Sequence, residues 1–218
     1  SVGGLVSIDF HDTGNPKIQS FPFDFKNAGY CLCVTDTKGS HADLTDDYVA
    51  IRSEMENVAA QFGKAYLRDV NENDFYGAIP QLREKCSDRA VLRTAHFFDE
   101  NRRAVQESNA LSDGNMDDFL ELVKQSGESS ANLLQNLYSC SQPSEQALSI
   151  GIMLSKRILG EKGALRVHGG GFAGTIQAFV PTDKVNEYVS EMNRIFGDGS
   201  CYVLRIRSLG GVEITEGL

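Results

Sequence analysis

The sequence predicts an α+β sandwich, a mixed sheet layered with helices, and three observations carry that expectation. Apolar residues alternate with period two near the amino end, in residues 4–10, 18–25 and 29–35. They recur at helical spacing from Tyr48 to about Gly160, and the period then returns to two, with a single helix interposed. Strands and helices that fall in separate blocks favour this class over a doubly wound sheet, in which they alternate strictly.

The first three segments are rich in aromatic and β-branched residues. Polar turns containing Gly14-Asn15-Pro16 and Lys26-Asn27-Ala28-Gly29 divide them, which predicts a three-strand antiparallel meander needing a covering layer. Thr45 is the expected N-cap of the first long helix. Asp46 and Asp47 are favoured in its first turn, and Tyr48, Ile51, Met55, Val58 and Phe62 form one stripe ending at Gly63. The connection before it, residues 35–44, is long and polar, the kind of loop in which binding residues concentrate. Tyr48 stands at the mouth of that loop, and its spacing suits a core aromatic as well as a site residue.

Ser87 caps a second helix expected to reach Ala110, with Val91, Ala95, Phe98 and Val105 on one side. His96, Glu100 and Arg103 lie four and three residues apart, so they share a helix face. No nucleophile or metal ligand lies near them in sequence, so an ion network is the preferred reading over a catalytic histidine. Residues 113–118 open a third helix carrying Phe119, Leu122 and Val123. It is expected to break at the Gly/Ser stretch 126–130 and resume with Leu133, Leu134 and Leu137. Asp117 and Asp118 are read as acids favoured at a helix N-terminus rather than as metal ligands. Pro143 suits the first turn of a fourth helix that ends near Gly160, with Lys156 and Arg157 in its last turn.

Strands at 163–168 and 174–180 follow. Then come a helix capped by Thr182 with Val185, Tyr188, Met192 and Ile195 inward, a strand at 201–207 and a short closing strand at 211–214.

Composition narrows the function classes. With 218 residues, 41% of them apolar and 23% charged, the chain has material for a real core. A formal charge of −9 with no basic cluster disfavours nucleic acid as a partner. Cys31, Cys33, Cys86, Cys140 and Cys201 form no C-x-x-C pair and read as reduced thiols, which together predicts a cytoplasmic protein. No apolar run reaches the length of a membrane span, and no membrane partner is expected. The chain opens on Ser1 inside an alternating segment, which predicts that it is part of a longer polypeptide.

The densest chemical signal is His168-Gly169-Gly170-Gly171-Phe172-Ala173-Gly174, between two expected strands. Glycines admit positive φ and close approach, so such a loop can lay backbone N–H groups against an anion. The match of Gly169, Gly171 and Gly174 to the dinucleotide-binding fingerprint is rejected, because that fingerprint must open a helix and a strand follows here. A tight strand-to-strand turn needing glycine for geometry alone remains the alternative.

Four segments together resemble the galactokinases. Arg166-Val167-His168-Gly169-Gly170-Gly171-Phe172-Ala173-Gly174 looks like that family's R-M-T-G-G-G-F-G-G motif. His41 to Tyr48 resembles its H-S-L-x-S-S-E-Y stretch with the same spacing, and the run from His96 through Glu100 to Arg102-Arg103 resembles its H-V-x-x-E-x-x-R helix. Val2 to Asp9 looks like the strand after its catalytic aspartate. The chain departs from the pattern at His168, Ala173 and Ser40, and no R-D-D-Y stretch is visible at 131–138; at 173 alanine for glycine implies a position without positive φ.

The resemblance implies a sugar kinase of the GHMP superfamily that moves the γ-phosphoryl of ATP to the 1-hydroxyl of galactose. It implies a GHMP-kinase C-terminal, ferredoxin-like α/β sandwich over residues 41–218, preceded in residues 1–40 by the last antiparallel strands of the N-terminal domain. Phosphoryl transfer needs positioning and charge stabilisation, here with ATP and Mg2+ as cofactors held mainly through the N-terminal half. The family's catalytic aspartate and arginine would precede Ser1, so no catalytic residue and no metal ligand is expected in this chain. Two sites carry over: Tyr48 as the sugar-contacting tyrosine, and Gly169, Gly170, Gly171, Phe172, Ala173 and Gly174 as the loop bordering the phosphates. Expected partners are galactose, ATP and the chain's own N-terminal domain. A non-catalytic galactose and ATP sensor of the same fold, and a free-standing binding or dimerisation module, are the competing readings. On the kinase reading, Tyr48→Phe is expected to weaken galactose use and spare ATP binding.

Overall fold

A computed structural model describes residues 4–40 and 43–206. His41 of the tyrosine motif, Val2 and Gly3 of the opening motif, Arg207 and the closing strand expected at 211–214 lie outside the described residues.

Two strands, β1 (Leu5–Asp9) and β2 (Lys17–Phe21), pair antiparallel as a hairpin, with Leu5 opposite Phe21 and Ile8 opposite Ile18. The next strand, β3 (Tyr30–Asp36), does not continue it, and this corrects the three-strand meander. β3 is an interior strand of a second, fully antiparallel sheet of order β4-β5-β3-β6, with β4 Ala164–His168, β5 Thr175–Pro181 and β6 Cys201–Leu204. Both hydrogen-bonding edges of β3 are taken, Cys33 pairing with Ala178 on one side and Val203 on the other, so none is left for β2. Phe25 fixes the departure between β2 and β3: it is buried, with ring centroids 5.6 Å from Phe119 and 5.0 Å from Phe179. β3 also falls within residues 1–40, and its pairing ties it to strands more than a hundred residues later.

Helices cover the larger sheet on both faces, which bears out the α+β sandwich. On one face α6 (Ala147–Leu159) and α7 (Val185–Phe196) enclose Cys33, Leu165, Ala178, Val180, Tyr188 and Met192. On the other, α4 (Asp88–Ser112) and α5 (Met116–Ser129) pack Ala110, Phe119, Leu120 and Val123 onto Ala164 and Phe179. A third core lies among the helices: Val58 and Ala59 of α1 (Thr45–Gln61) meet Phe75 of α2 (Glu72–Gly77), Leu82 of α3 (Ile79–Lys85), and Val91 and Phe98 of α4. Neither α2 nor α3 has a periodic signature in the sequence, because both are too short for an apolar stripe to repeat.

Several boundaries differ from expectation for local reasons. Ser87 caps α4 as expected, its hydroxyl accepting the Ala90 N–H at 3.0 Å. Thr45, by contrast, is already helical, and Leu44, the boundary residue, is held by burial without a side-chain cap. Thr182 opens a single tight turn before α7, again without capping. Pro143 precedes α6, which starts only at Ala147. The Gly/Ser stretch does not break α5: Gly127 stays helical, and because a Cβ there would lie 2.8 Å from the Leu165 carbonyl, glycine is what lets the helix press on β4. Ile195, expected inward, is exposed, as is Val105 on the side of α4 shared with Val91 and Phe98.

Candidate functional site

β4 and β5 are neighbours joined by residues 169–174, so the glycine loop connects antiparallel strands and opens no helix. The loop is anchored from three directions. Just past the end of β3, Thr37 donates both its N–H and its hydroxyl to the Gly174 carbonyl, at 2.9 and 2.8 Å. From α1, the Tyr48 hydroxyl donates to the Gly171 carbonyl at 2.8 Å, and the Tyr48 ring meets Phe172 edge-on with centroids 5.3 Å apart. From the segment after α5, the Asn136 carbonyl accepts the Phe172 N–H at 2.5 Å, and its side-chain amide donates to the Gly170 carbonyl at 3.1 Å. Leu44, Phe172 and Ala173 form a small apolar floor, with Tyr48 and Ile51 packed against it.

The glycines have distinct reasons. Gly169, Gly171 and Gly174 have positive φ, whereas Gly170 does not. What Gly170 supplies is space: a Cβ there would fall 2.8 Å from Cε1 of Tyr48. Ala173 lies outside the positive-φ set, as its side chain implied. Phe172 carries the exception, with φ of 61°, a left-handed conformation that costs a bulky residue on the order of 1 kcal/mol and is offset here by burial of its ring.

Electrostatics at the site are mild. Burial, and next the charge of Asp47, hold the Tyr48 phenol above its ordinary range, so its hydroxyl stays a donor at neutral pH. Among the described residues no protein acceptor meets the N–H groups of Gly169, Gly170 or Gly171. No group of three or more His, Cys, Asp or Glu suited to a metal ion occurs among the described residues.

His96, Glu100 and Arg103 lie elsewhere, between α4, α5 and β4. Glu100 accepts from Arg103, from the Ser126 hydroxyl and from Arg166 at 3.1 Å, while His96 Nδ1 meets the Ser129 hydroxyl at 2.9 Å. This is the ion network, not a nucleophile–base pair. Asp118 sits in the first turn of α5, its N–H capped by the Asn115 side chain. A cavity of about 610 Å3 lined by Lys124, Asn132, Lys156 and Arg166 includes neither Tyr48 nor the loop.

The structure thus brings together Tyr48 and the glycine loop, the two segments singled out in the sequence, and adds Thr37 and Asn136. Asn136 gave no signal, since a single asparagine between Gln135 and Leu137 has no period or motif; only the fold sets it beside Gly171.

No family model matches the chain. The galactokinase of Glaesserella parasuis serovar 5 is 29% identical over 157 residues, 72% of this chain and 39% of that protein. The galactokinase of Actinobacillus pleuropneumoniae is 28% identical over 170 residues, 78% of this chain and 41% of the relative. The chain therefore spans about two fifths of the length of these curated relatives. Among solved structures, Lactococcus lactis galactokinase complexed with galactose superposes with a TM-score of 0.73 at 17% identity, over 98% of this chain and 53% of that one. The L. major mevalonate kinase in complex with R-mevalonate gives 0.50 at 13% identity, over 93% and 48%. These likenesses bear out the resemblance to galactokinases in sequence and the GHMP-kinase fold. No helix among the described residues is long and apolar enough to cross a membrane.

Proposed function

We propose that this chain is the C-terminal part of a cytoplasmic galactokinase that transfers the γ-phosphoryl of ATP to the 1-hydroxyl of galactose. Its wall of the ligand cleft is formed by Tyr48 and the loop Gly169–Gly174. The observation that carries the proposal is the bond from the Tyr48 hydroxyl to the Gly171 carbonyl, which joins the expected sugar-contacting residue to the expected phosphate-bordering loop. The similarity in sequence to galactokinases supports it.

The chemistry asks for two substrates held in line and for charge to be stabilised as it shifts. On this reading the loop supplies rigid backbone donors beside the phosphates, and Tyr48, whose hydroxyl donates to the Gly171 carbonyl, stands against the loop as the sugar-contacting residue. Mg2+ is expected to be held mainly through the N-terminal half, and no step is derived through it. The catalytic aspartate and arginine belong to the N-terminal domain, with which this chain is proposed to act. The hairpin β1–β2 is assigned to that domain and β3 to the C-terminal one, on the strength of its pairing with β5 and β6.

The test is ATP-dependent formation of galactose 1-phosphate by the longer polypeptide encoded with this chain, followed by 31P NMR. No sugar phosphate from a folded, full-length preparation overturns the reading. The 218-residue chain alone is expected to bind galactose and ATP weakly or not at all. Micromolar binding by calorimetry would contradict that division of labour.

A further inference from the structure

We propose that Asn136 is a positioning residue that sets which way two consecutive peptides of the glycine loop face; as a statement about the reaction this rests on the proposed function. The side-chain amide of Asn136 donates to the Gly170 carbonyl at 3.1 Å, and its backbone carbonyl accepts the Phe172 N–H. A trans peptide points its C=O and N–H in opposite directions, and no peptide bond here is cis. Turning the Gly170 carbonyl onto Asn136 therefore turns the Gly171 N–H to the other side of the loop. That is the side on which the Tyr48 hydroxyl takes the Gly171 carbonyl. Asn136 and Tyr48 grip the Gly171–Phe172 peptide from opposite sides, and among the described residues Asn136 alone holds the Gly170–Gly171 peptide before it.

The residue is placed for this and little else. It is 1% exposed, follows Gln135 in a left-handed conformation, and abuts Gly171 so closely that a Cβ there would lie 2.2 Å from its carbonyl oxygen. The segment leading to it is pinned in turn, because buried Arg93 donates to the Leu134 carbonyl at 3.1 Å and to Glu54 of α1 at 2.9 Å. Its Oδ1 is buried without a hydrogen-bond partner, a cost that suits a carboxamide retained for its donor. An aspartate of the same shape would set a carboxylate against the Gly170 carbonyl when ionised, and would regain a donor when protonated.

Asn136→Asp in the full-length protein tests this. At about pH 8 the KM for ATP is expected to rise on the order of tenfold, and the gap to the unsubstituted protein to close toward about pH 6, as the buried carboxyl takes up its proton. Asn136→Ala is expected to show the rise at both pH values. No rise in Asn136→Asp, or a rise independent of pH, overturns the proposal. A readout free of activity is amide exchange of Phe172 in this chain, expected at pH 8 to be on the order of tenfold faster in Asn136→Asp while core amides such as Val180 are unchanged. Equal exchange at Phe172 overturns the proposal even if galactose is phosphorylated. If no galactose is phosphorylated, faster exchange sustains the loop-setting role while the function assigned above fails. Asn136→Ser, whose hydroxyl ends one bond short of the carboxamide nitrogen, is the second variant: Phe172 exchange as fast as in Asn136→Ala is expected, and full retention of Phe172 protection counts against the proposal.

Discussion

The Tyr48 hydroxyl donates to the Gly171 carbonyl at 2.8 Å across 123 positions of sequence, so one side chain is at once a candidate ligand contact and a brace of the loop. That second role changes the expectation for Tyr48→Phe, from weakened galactose use with ATP binding spared. Removing the hydroxyl also leaves the Gly171 carbonyl without its donor, at about 1 kcal/mol. The expected outcome, by steady-state kinetics of the full-length protein, is a rise in KM for both galactose and ATP. A rise for galactose alone would show that the loop does not need the brace, and an unchanged galactose KM would remove Tyr48 from the sugar site.

Gly170→Ala separates space from backbone freedom. Its φ is not positive, so the penalty is the approach of the new Cβ to the Tyr48 ring at 2.8 Å. The ring is held by its hydrogen bond and by Phe172 and has little room to retreat. A loss of about 1–3 kcal/mol in urea-unfolding free energy is expected. Gly169→Ala, with positive φ and open space around it, should cost about 1 kcal/mol through strain alone. Equal costs would contradict the steric account.

Arg93 is fully buried, paired with Glu54 and bonded to the Leu134 carbonyl. Arg93→Met strands both partners, although Arg89 still reaches Glu54. The expected loss is about 3 kcal/mol by chemical denaturation. Arg93→Met combined with Glu54→Gln should cost less than the sum of the two single changes. Strict additivity would show the pair to be independent.

Glu107 gives a pH signature. Its Oε1 is buried without a partner, and burial, then the charge of Glu100, push its carboxyl up to about 7 from an ordinary value near 4.5, against the pull of Arg166 and Arg103. The folded state then binds the proton more tightly than the unfolded one. The stabilisation is complete below about 4.5 and is lost as pH rises through about 7. Glu107→Gln should remove that slope and raise the melting temperature at alkaline pH relative to the unsubstituted chain. Parallel stability–pH curves would count against it.

Much of this architecture can be read directly from the amino acids. α4 with its Ser87 cap, the strands flanking the glycine loop and the inward Tyr188 and Met192 follow from period and capping, which are local. The position of β3 was not legible, because an alternating segment states that it is a strand and not which neighbours take its edges. The continuity of α5 through Gly127 was missed for a related reason: glycine is unfavourable in an isolated helix, and only the closeness of β4 repays it.

The sequence by itself determined the fold class, the glycine loop between strands, the likeness to galactokinases, and Tyr48 as a residue to watch. Only the tertiary structure decided that Tyr48 and Asn136 hold one peptide from opposite sides, and that Gly170 is small to admit a ring while Gly171 is small to admit a carbonyl. The reason is physical: periodicity records how each residue faces its own helix or strand, whereas contact between Tyr48, Asn136 and Gly171 depends on how three distant segments come to rest against one another.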